Sequence, residues 1–162
     1  MKTTTIFFML FVILFRPVQS VADALVVETG DGFARSLNTE ALLVRFQHEA
    51  PLFRQEGFYE AVYARWNGDN HAEDFALARG IRWWTAKDRS CSFAIGAGRI
   101  SRTTGNLGTP LDFYFRLAYE RKLGNYDLSF GVIHISNGKP VFRWRGPDNG
   151  ENFLTLAIGR LF

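Results

Sequence analysis

The chain has 162 residues, which is enough for one domain of ordinary size but not for two separate hydrophobic cores. Its composition is 47% hydrophobic and 22% charged, with 16 Phe and 15 Gly, which excludes a disordered chain and favours strands over long helices. The formal net charge is +3, and the cations lie singly among acids and aromatics, so a nucleic-acid partner is excluded. The single cysteine, Cys91, excludes an internal disulfide and a cysteine-based metal site.

The first twenty residues have the pattern of a secretory signal peptide. Lys2 supplies the positive charge, ten apolar residues follow from Ile6 to Phe15, and small residues come next. Ten helical residues span about half of the ~30 Å hydrocarbon core, so a transmembrane helix is the poorer interpretation and a buried core segment is the alternative. Cleavage fits after Ser20 or near 22–24. The rest, 21–162, is predicted to be one domain, and it carries 17 basic and 16 acidic residues.

Alternation of apolar and polar residues predicts strands in this domain. From 113 to 122 the odd positions are mostly apolar or aromatic, whereas the even positions include Arg116 and Glu120. The segment 42–49 alternates in the same way, with Arg45 on its polar face. In a soluble sandwich the polar face meets water, whereas in a transmembrane barrel of eight strands it fills a narrow interior. The alternation alone allows both folds.

The number of strands favours the barrel. Turn-rich stretches leave eight segments of strand length, and an even number suits a barrel with both chain ends on the periplasmic side. The predicted strands lie near 24–32, 40–49, 58–67, 75–85, 91–101, 112–122, 125–136 and 152–162. The predicted inner turns are 50–57, 86–90 and 123–124, and the predicted outer loops are 33–39, 68–74, 102–111 and 137–151.

The last predicted strand adds a second indication. It ends on Phe162, with Leu154, Leu156 and Ile158 on the same face. A terminal aromatic residue on an alternating strand resembles the signature by which outer-membrane barrel proteins are recognised for assembly. We therefore predict an all-β fold, an eight-stranded antiparallel transmembrane β-barrel in the bacterial outer membrane.

The seventh predicted strand carries a polar pair on its apolar face. Tyr126, Leu128 and Phe130 define the lipid-facing side, and His134 and Ser136 continue it at the outer-leaflet end. Polar groups there cost free energy unless they are hydrogen-bonded, and a spacing of two residues on one face permits a mutual hydrogen bond. This pair permits nucleophilic chemistry, with His134 as general base and Ser136 as nucleophile. The alternative is that both side chains bind lipid head groups without catalysis.

The segment around this pair resembles a known family. His134-Ile135-Ser136-Asn137, followed by Pro147 to Phe153 and the final strand, is similar to the C-terminal region of the PagL family of lipid A 3-O-deacylases. Earlier strands match that family only in number and character. The resemblance implies an outer-membrane barrel, a Ser-His-Glu triad on the lipid-facing surface, and hydrolysis of the ester-linked 3-hydroxyacyl chain at position 3 of lipid A. Lipid A or lipopolysaccharide and membrane lipids are the implied partners, and neither a metal nor an organic cofactor is implied.

Carried over to this chain, the resemblance makes Ser136 the nucleophile, His134 the base and Glu151 the carboxylate that orients His134. The loop before Glu151 looks like an insertion relative to the family, so Asp148 stays open as the alternative acid. If the hairpin closes symmetrically, Ser136 opposes Asn152, and Glu151 then faces the other side of the sheet unless a bulge or the loop conformation brings it back. A further alternative is that Glu151 only caps the loop in solvent.

Further residues are assigned from the same resemblance and from the chemistry of the loop. The backbone N–H groups of Asn137 and Gly138 are candidate oxyanion donors, and Asn149 is a candidate second donor. Arg143 and Arg145, beside Trp144, are candidate contacts for the phosphates of lipid A, since guanidinium groups bind phosphate in a bidentate manner. A solvated loop anchored by its aromatic residue is the alternative.

The competing class of function is a non-catalytic barrel. It includes a small structural or adhesive outer-membrane protein and a lipocalin-like exported binding protein whose interior holds a ligand. A homodimer stays open in either class. His48 and His71 have no companion at ligand spacing, so no metal site is predicted.

Overall fold

The structure, a computed structural model, describes residues 23–52, 56–139, 143 and 146–162. The predicted signal peptide, 1–20, lies outside the described residues, and so do Trp144 and Arg145. Within the described part of the chain, no helix has both the length and the apolar character to cross a membrane.

Eight antiparallel strands pair in chain order, and the last strand closes on the first. This confirms the predicted eight-stranded antiparallel transmembrane β-barrel, and each predicted strand boundary lies within three residues of the observed one. A short 3-10 turn, Ala34–Ser36, follows the first strand. The strands are β1 (Ala24–Gly32), β2 (Thr39–Glu49), β3 (Glu56–Gly68), β4 (Ala72–Ala86), β5 (Arg89–Ile100), β6 (Leu111–Leu123), β7 (Tyr126–Ser136) and β8 (Glu151–Leu161).

The two ends of the barrel differ in their connections. We call the end that holds Asp23 and Phe162 the inner end, where the Phe162 N–H donates to the Asp23 carbonyl at 2.9 Å. The opposite, outer end carries the two longest connections, 101–110 and 137–150. Those two loops contact each other through an isolated bridge between Leu107 and Asp148.

Apolar and aromatic side chains face outward on every strand. Leu77 of β4 is 63% exposed and Leu156 of β8 is 65% exposed, whereas Arg45 and Arg116 are buried inside. This distribution is the inverse of a soluble protein and is typical of a barrel whose exterior contacts lipid. It contradicts the lipocalin-like alternative, because a soluble exported binder needs a polar exterior.

Charged side chains fill the inner half of the barrel. The Arg45 guanidinium contacts Glu28 at 2.6 Å and Glu60 at 2.7 Å, and Arg82 contacts Glu120 at 2.9 Å. These buried charges are thereby paired, as the low dielectric of the interior requires. A cavity between these groups has a volume of about 10 Å³, which leaves room for about one water molecule.

Apolar side chains fill the outer half. Ile133 and Ile135 of β7 and Phe153 of β8 point inward and are fully buried, and the Phe153 ring packs against Trp66 with 6.2 Å between centroids. Because these residues alternate with the outward-facing ones, the packed interior holds β7 and β8 in a fixed orientation. The same packing therefore fixes which side chains the two strands present to lipid.

Candidate active site

His134 and Ser136 lie at the outer end of β7 and point to the lipid-facing side, as the sequence predicts. Both are partly buried. The neighbouring strands set their surroundings, because Phe115 of β6 lies opposite His134 and Phe113 lies opposite Ser136. On the other side, Asn152 of β8 lies opposite His134. The register of three adjacent strands therefore determines the contacts of this pair.

A hydrogen bond with Asn152 orients the imidazole of His134. Its Nδ1 lies 2.8 Å from the side-chain oxygen of Asn152. Since that oxygen can only accept a hydrogen bond, Nδ1 carries the hydrogen and Nε2 is left as the basic nitrogen. The Phe115 ring packs beside the imidazole with 6.1 Å between centroids. The ring is thus held in the tautomer that a general base needs.

Gly150 permits the close approach of the loop to this ring. Its φ of +70° is in the left-handed region, and a Cβ there would lie 2.5 Å from His134 Cε1 and 3.2 Å from Nδ1. Any other residue would be strained in its backbone and would also displace the imidazole. Glycine is therefore required at this position by both the loop and the site.

The hydroxyl of Ser136 makes no hydrogen bond with any described residue, His134 included. The two side chains share one face at a spacing of two residues, a separation that a hydrogen bond can bridge. Hydrogen bonds between catalytic groups are often long or absent before substrate binds and tighten afterwards. Ser136 is partly exposed on this face.

Glu151 does not contact His134. It lies opposite Ile135 in the sheet, and because cross-strand neighbours share a face, its side chain points into the barrel, where it is fully buried. Its carboxylate accepts hydrogen bonds from Ser36 Oγ at 2.7 Å and Asn106 Nδ2 at 3.2 Å. The geometry therefore does not supply the predicted contact between this carboxylate and the imidazole.

Asp148, the alternative acid, shapes the loop instead. Its oxygens accept the backbone N–H groups of Asn137 at 3.1 Å and Lys139 at 3.0 Å. It too has no contact with His134 among the described residues. Both candidate carboxylates are thus engaged elsewhere in this arrangement.

The hairpin register explains the position of these acids. Symmetric closure predicts that Ser136 opposes Asn152, whereas the structure places His134 opposite Asn152. The register prediction is wrong by two residues. A shift of two leaves the inward and outward faces unchanged, so Glu151 still faces inward as symmetric closure predicts. The shift does, however, bring Asn152 to His134, which the sequence reasoning missed.

The predicted oxyanion donors differ in their availability. The N–H of Asn137 is taken by Asp148, and its side-chain amide donates to the Pro147 carbonyl at 3.0 Å. The N–H of Gly138, at φ +64°, has no partner among the described residues. Of these two backbone groups, Gly138 is the one with a donor to offer.

Neither Asn149 nor Arg143 makes a polar contact with the imidazole, whose described partner is Asn152. The Asn149 N–H donates to the Asn106 carbonyl at 2.9 Å, and its side-chain oxygen accepts from Arg35. Arg143 is exposed in the outer loop, and its N–H donates to the Lys139 carbonyl at 2.8 Å. Asn149, which is itself exposed, thus contacts the polar cluster around Glu151 through Asn106, and Arg143 is also exposed.

No three His, Cys, Asp or Glu side chains are grouped as metal ligands in the described ranges. His48, which has no companion at ligand spacing in the sequence, pairs instead with Asp23, with 2.6 Å between Nδ1 and the carboxylate.

Comparison with known proteins shows that the barrel has a known architecture. No protein-family model and no curated protein matches the chain. The crystal structure of the outer membrane enzyme PagL superimposes with a TM-score of 0.67, covering 85% of this chain and 98% of that one at 20% sequence identity. The chain has the fold of PagL. De novo designed transmembrane β-barrels also match, with a TM-score of 0.60 at 10% identity, covering 87% of this chain and 95% of the design.

The likeness to PagL confirms the predicted resemblance at the level of the fold and extends it beyond the C-terminal segment. Because it covers nearly all of the PagL chain, the first six strands share the architecture as well as the last two. The designed barrels share that architecture without any relation of function, so the fold by itself does not carry the chemistry. The chemistry has to be argued from His134, Ser136 and their neighbours.

Proposed function

We propose that the chain is an outer-membrane carboxylic ester hydrolase that removes the ester-linked 3-hydroxyacyl chain at position 3 of lipid A. One observation carries the proposal: on a lipid-facing surface, His134 is held with Nε2 as its basic nitrogen, two residues from the hydroxyl of Ser136, which no described side chain engages. The fold shared with the outer membrane enzyme PagL supports the same assignment. A purely structural surface has no need of such a pair in lipid.

The proposed reaction uses the pair in two steps. His134 Nε2 takes the proton of Ser136 as the hydroxyl attacks the ester carbonyl. As the ester C–O bond breaks, the protonated imidazole donates that proton to the sugar oxygen, which leaves as a hydroxyl. Water repeats the sequence on the acyl-serine and releases the fatty acid. The Gly138 N–H, two residues after Ser136, is the backbone donor that we assign to the developing oxyanion.

The position of the pair along the strand fits a lipid ester. Ser136 is the last residue of β7 at the outer end, whereas apolar positions such as Phe130 continue the same face toward the inner end. In a glycolipid the acyl ester lies at the boundary between the sugar head group and the hydrocarbon. The proposed substrate can therefore reach Ser136 by lateral movement within the outer leaflet, without leaving the membrane.

The proposed head-group contacts are Arg143 and Arg145 of the outer loop. Arg143 is exposed in the outer loop, and a guanidinium is suited to the phosphates of lipid A. These residues would bind the substrate without taking part in the bond-breaking steps.

Mass analysis of lipid A from cells that make the protein tests the proposal. We expect loss of one 3-hydroxyacyl chain from position 3 with the unaltered protein, and no loss with Ser136→Ala or His134→Ala. Removal of either member of such a pair lowers the rate by about 10⁴-fold or more. Ser129→Ala is the matched control, since Ser129 lies on the same strand but faces the interior, and it should keep its activity.

The non-catalytic alternative predicts a different result. A barrel that is correctly assembled in the outer membrane, shown by a gel mobility that changes on heating, but that leaves lipid A unaltered would contradict the proposed function. Full activity of Ser136→Ala would contradict the assignment of the nucleophile while leaving the enzyme class intact.

A further inference from the structure

We propose that Asn152 is the positioning residue of His134, so that the site operates as Ser-His-Asn and not as Ser-His-Glu. This inference rests on the proposed ester hydrolysis and identifies the third member of its machinery. The observation behind it is the contact of 2.8 Å between His134 Nδ1 and the Asn152 side-chain oxygen, at a position where the expected carboxylate is absent.

The sheet itself assigns Asn152 to this role. Asn152 and His134 are direct cross-strand neighbours, and both side chains are on the lipid-facing side. Glu151 is on the opposite face by the alternation of the strand. To exchange the two residues, β8 would have to slip by one position, which would expose the buried Phe153 and bury Leu154. The packed interior therefore excludes Glu151 from the imidazole.

Hydrogen bonds with Ser36, which is buried, fix the backbone of Asn152. Its N–H donates to Ser36 Oγ at 2.9 Å, and the same hydroxyl donates to the Glu151 carboxylate at 2.7 Å. Ser36 lies in the short turn after β1 and is fully buried. Glu151 thus holds the turn against β8, and this contact secures the residue that orients His134.

The exchange of a carboxylate for an amide has a chemical consequence. The amide oxygen accepts the Nδ1–H bond and so selects the same tautomer that a carboxylate would select. It carries no full negative charge, however, and cannot stabilise the imidazolium that forms as Ser136 attacks to the same extent. The site is therefore oriented as in a full triad but lacks the electrostatic assistance of one.

Activity as a function of pH separates orientation from charge. The assay uses purified, refolded protein and lipopolysaccharide in detergent micelles. Asn152→Leu should lower kcat/KM by about 10²-fold, the usual effect of a small misplacement of a catalytic group. Asn152→Asp should match or exceed the wild-type rate above neutral pH, and the acid limb of its pH–rate profile should move to higher pH because the carboxylate favours the protonated imidazole.

Two further variants serve as comparisons. Glu151→Gln should leave the acid limb where it is in the wild type, since Glu151 does not touch the imidazole. Asn125→Asp makes the same chemical change in the turn between β6 and β7, at the inner end, and controls for the added charge. Wild-type kinetics for Asn152→Leu, or a displaced acid limb for Glu151→Gln alone, would overturn the assignment of Asn152.

A measurement without turnover completes the test. In ¹⁵N-histidine NMR spectra of the protein in micelles, with His134→Ala to identify the signal, we expect a protonated Nδ1 in the wild type and loss of that preference in Asn152→Leu. A wild-type tautomer in Asn152→Leu would overturn the proposal. If instead the wild-type protein leaves lipid A unaltered while the NMR result holds, the proposed function fails and the contact between Asn152 and His134 stands.

Discussion

A single glycine decides how closely the outer loop approaches the imidazole of His134. Gly150 has a positive φ, and it has only a hydrogen atom where the side chain of any other residue would collide with the His134 ring. The glycine is two residues before Asn152, so one short segment of backbone both clears space for the imidazole and supplies the residue that holds it. Orientation of the base thus depends on backbone geometry as much as on side-chain identity.

Gly150→Ala should lower deacylation by about 10²-fold through displacement of His134, measured with lipopolysaccharide in micelles. The backbone strain of about 1–2 kcal/mol should appear as a small loss of stability. Gly124→Ala is the matched control, because Gly124 has a φ of +65° and open space around the added Cβ. It should lose similar stability but no activity. Equal activities of the two variants would show that the contact between Gly150 and His134 is irrelevant to turnover.

The strands were predictable from the sequence to a greater degree than the pairing of β7 with β8. Alternation specifies which residues face lipid, and turn residues specify where strands end, which is why Ser136 and His134 stood out as a polar interruption of an apolar face. The register of the hairpin depends on the conformation of a loop of fourteen residues, 137–150, which no local pattern determines. To find Asn152 from the sequence, one would have had to know the β7–β8 register, or to consider every outward-facing residue of β8 within two residues of the position opposite His134.

Ion pairs inside the barrel connect neighbouring strands, and breaking one should lower the free energy of unfolding. Arg45→Met would leave Glu28 without its cation, whereas Glu60 keeps Arg116 at 3.6 Å, and unpairing a buried charge costs about 3–5 kcal/mol. We expect that loss in the free energy of unfolding, measured by denaturant titration in micelles. Arg121→Met is the matched control, since Arg121 is exposed and 3.4 Å from Asp88 at the inner end, where a surface pair contributes at most about 1 kcal/mol. Similar losses for both variants would contradict a closely paired interior.

At the scale of the whole molecule, lipid is the solvent that the exterior requires. The barrel has no unpaired strand edge, because β8 closes on β1, and every backbone group within the sheet can be satisfied without water. The apolar exterior then places the polar pair of His134 and Ser136 where a lipid substrate is concentrated. The proposed activity therefore depends on the membrane as well as on the site, since a soluble barrel with the same residues would not encounter a lipid substrate.

Three leucines on one strand test that environment. Leu111, Leu117 and Leu123 of β6 all face outward and are 40%, 55% and 46% exposed, and they are spaced six residues, or about 20 Å, apart. In lipid vesicles, Leu117→Arg should reduce the free energy of unfolding by about 2–4 kcal/mol, because an arginine at the midplane is costly, whereas Leu111→Arg and Leu123→Arg near the interfaces should cost about 0–1 kcal/mol. An exterior in water would give three similar and small values. Such a flat profile would contradict the transmembrane placement of the barrel, and with it the lateral route by which a lipid ester reaches Ser136.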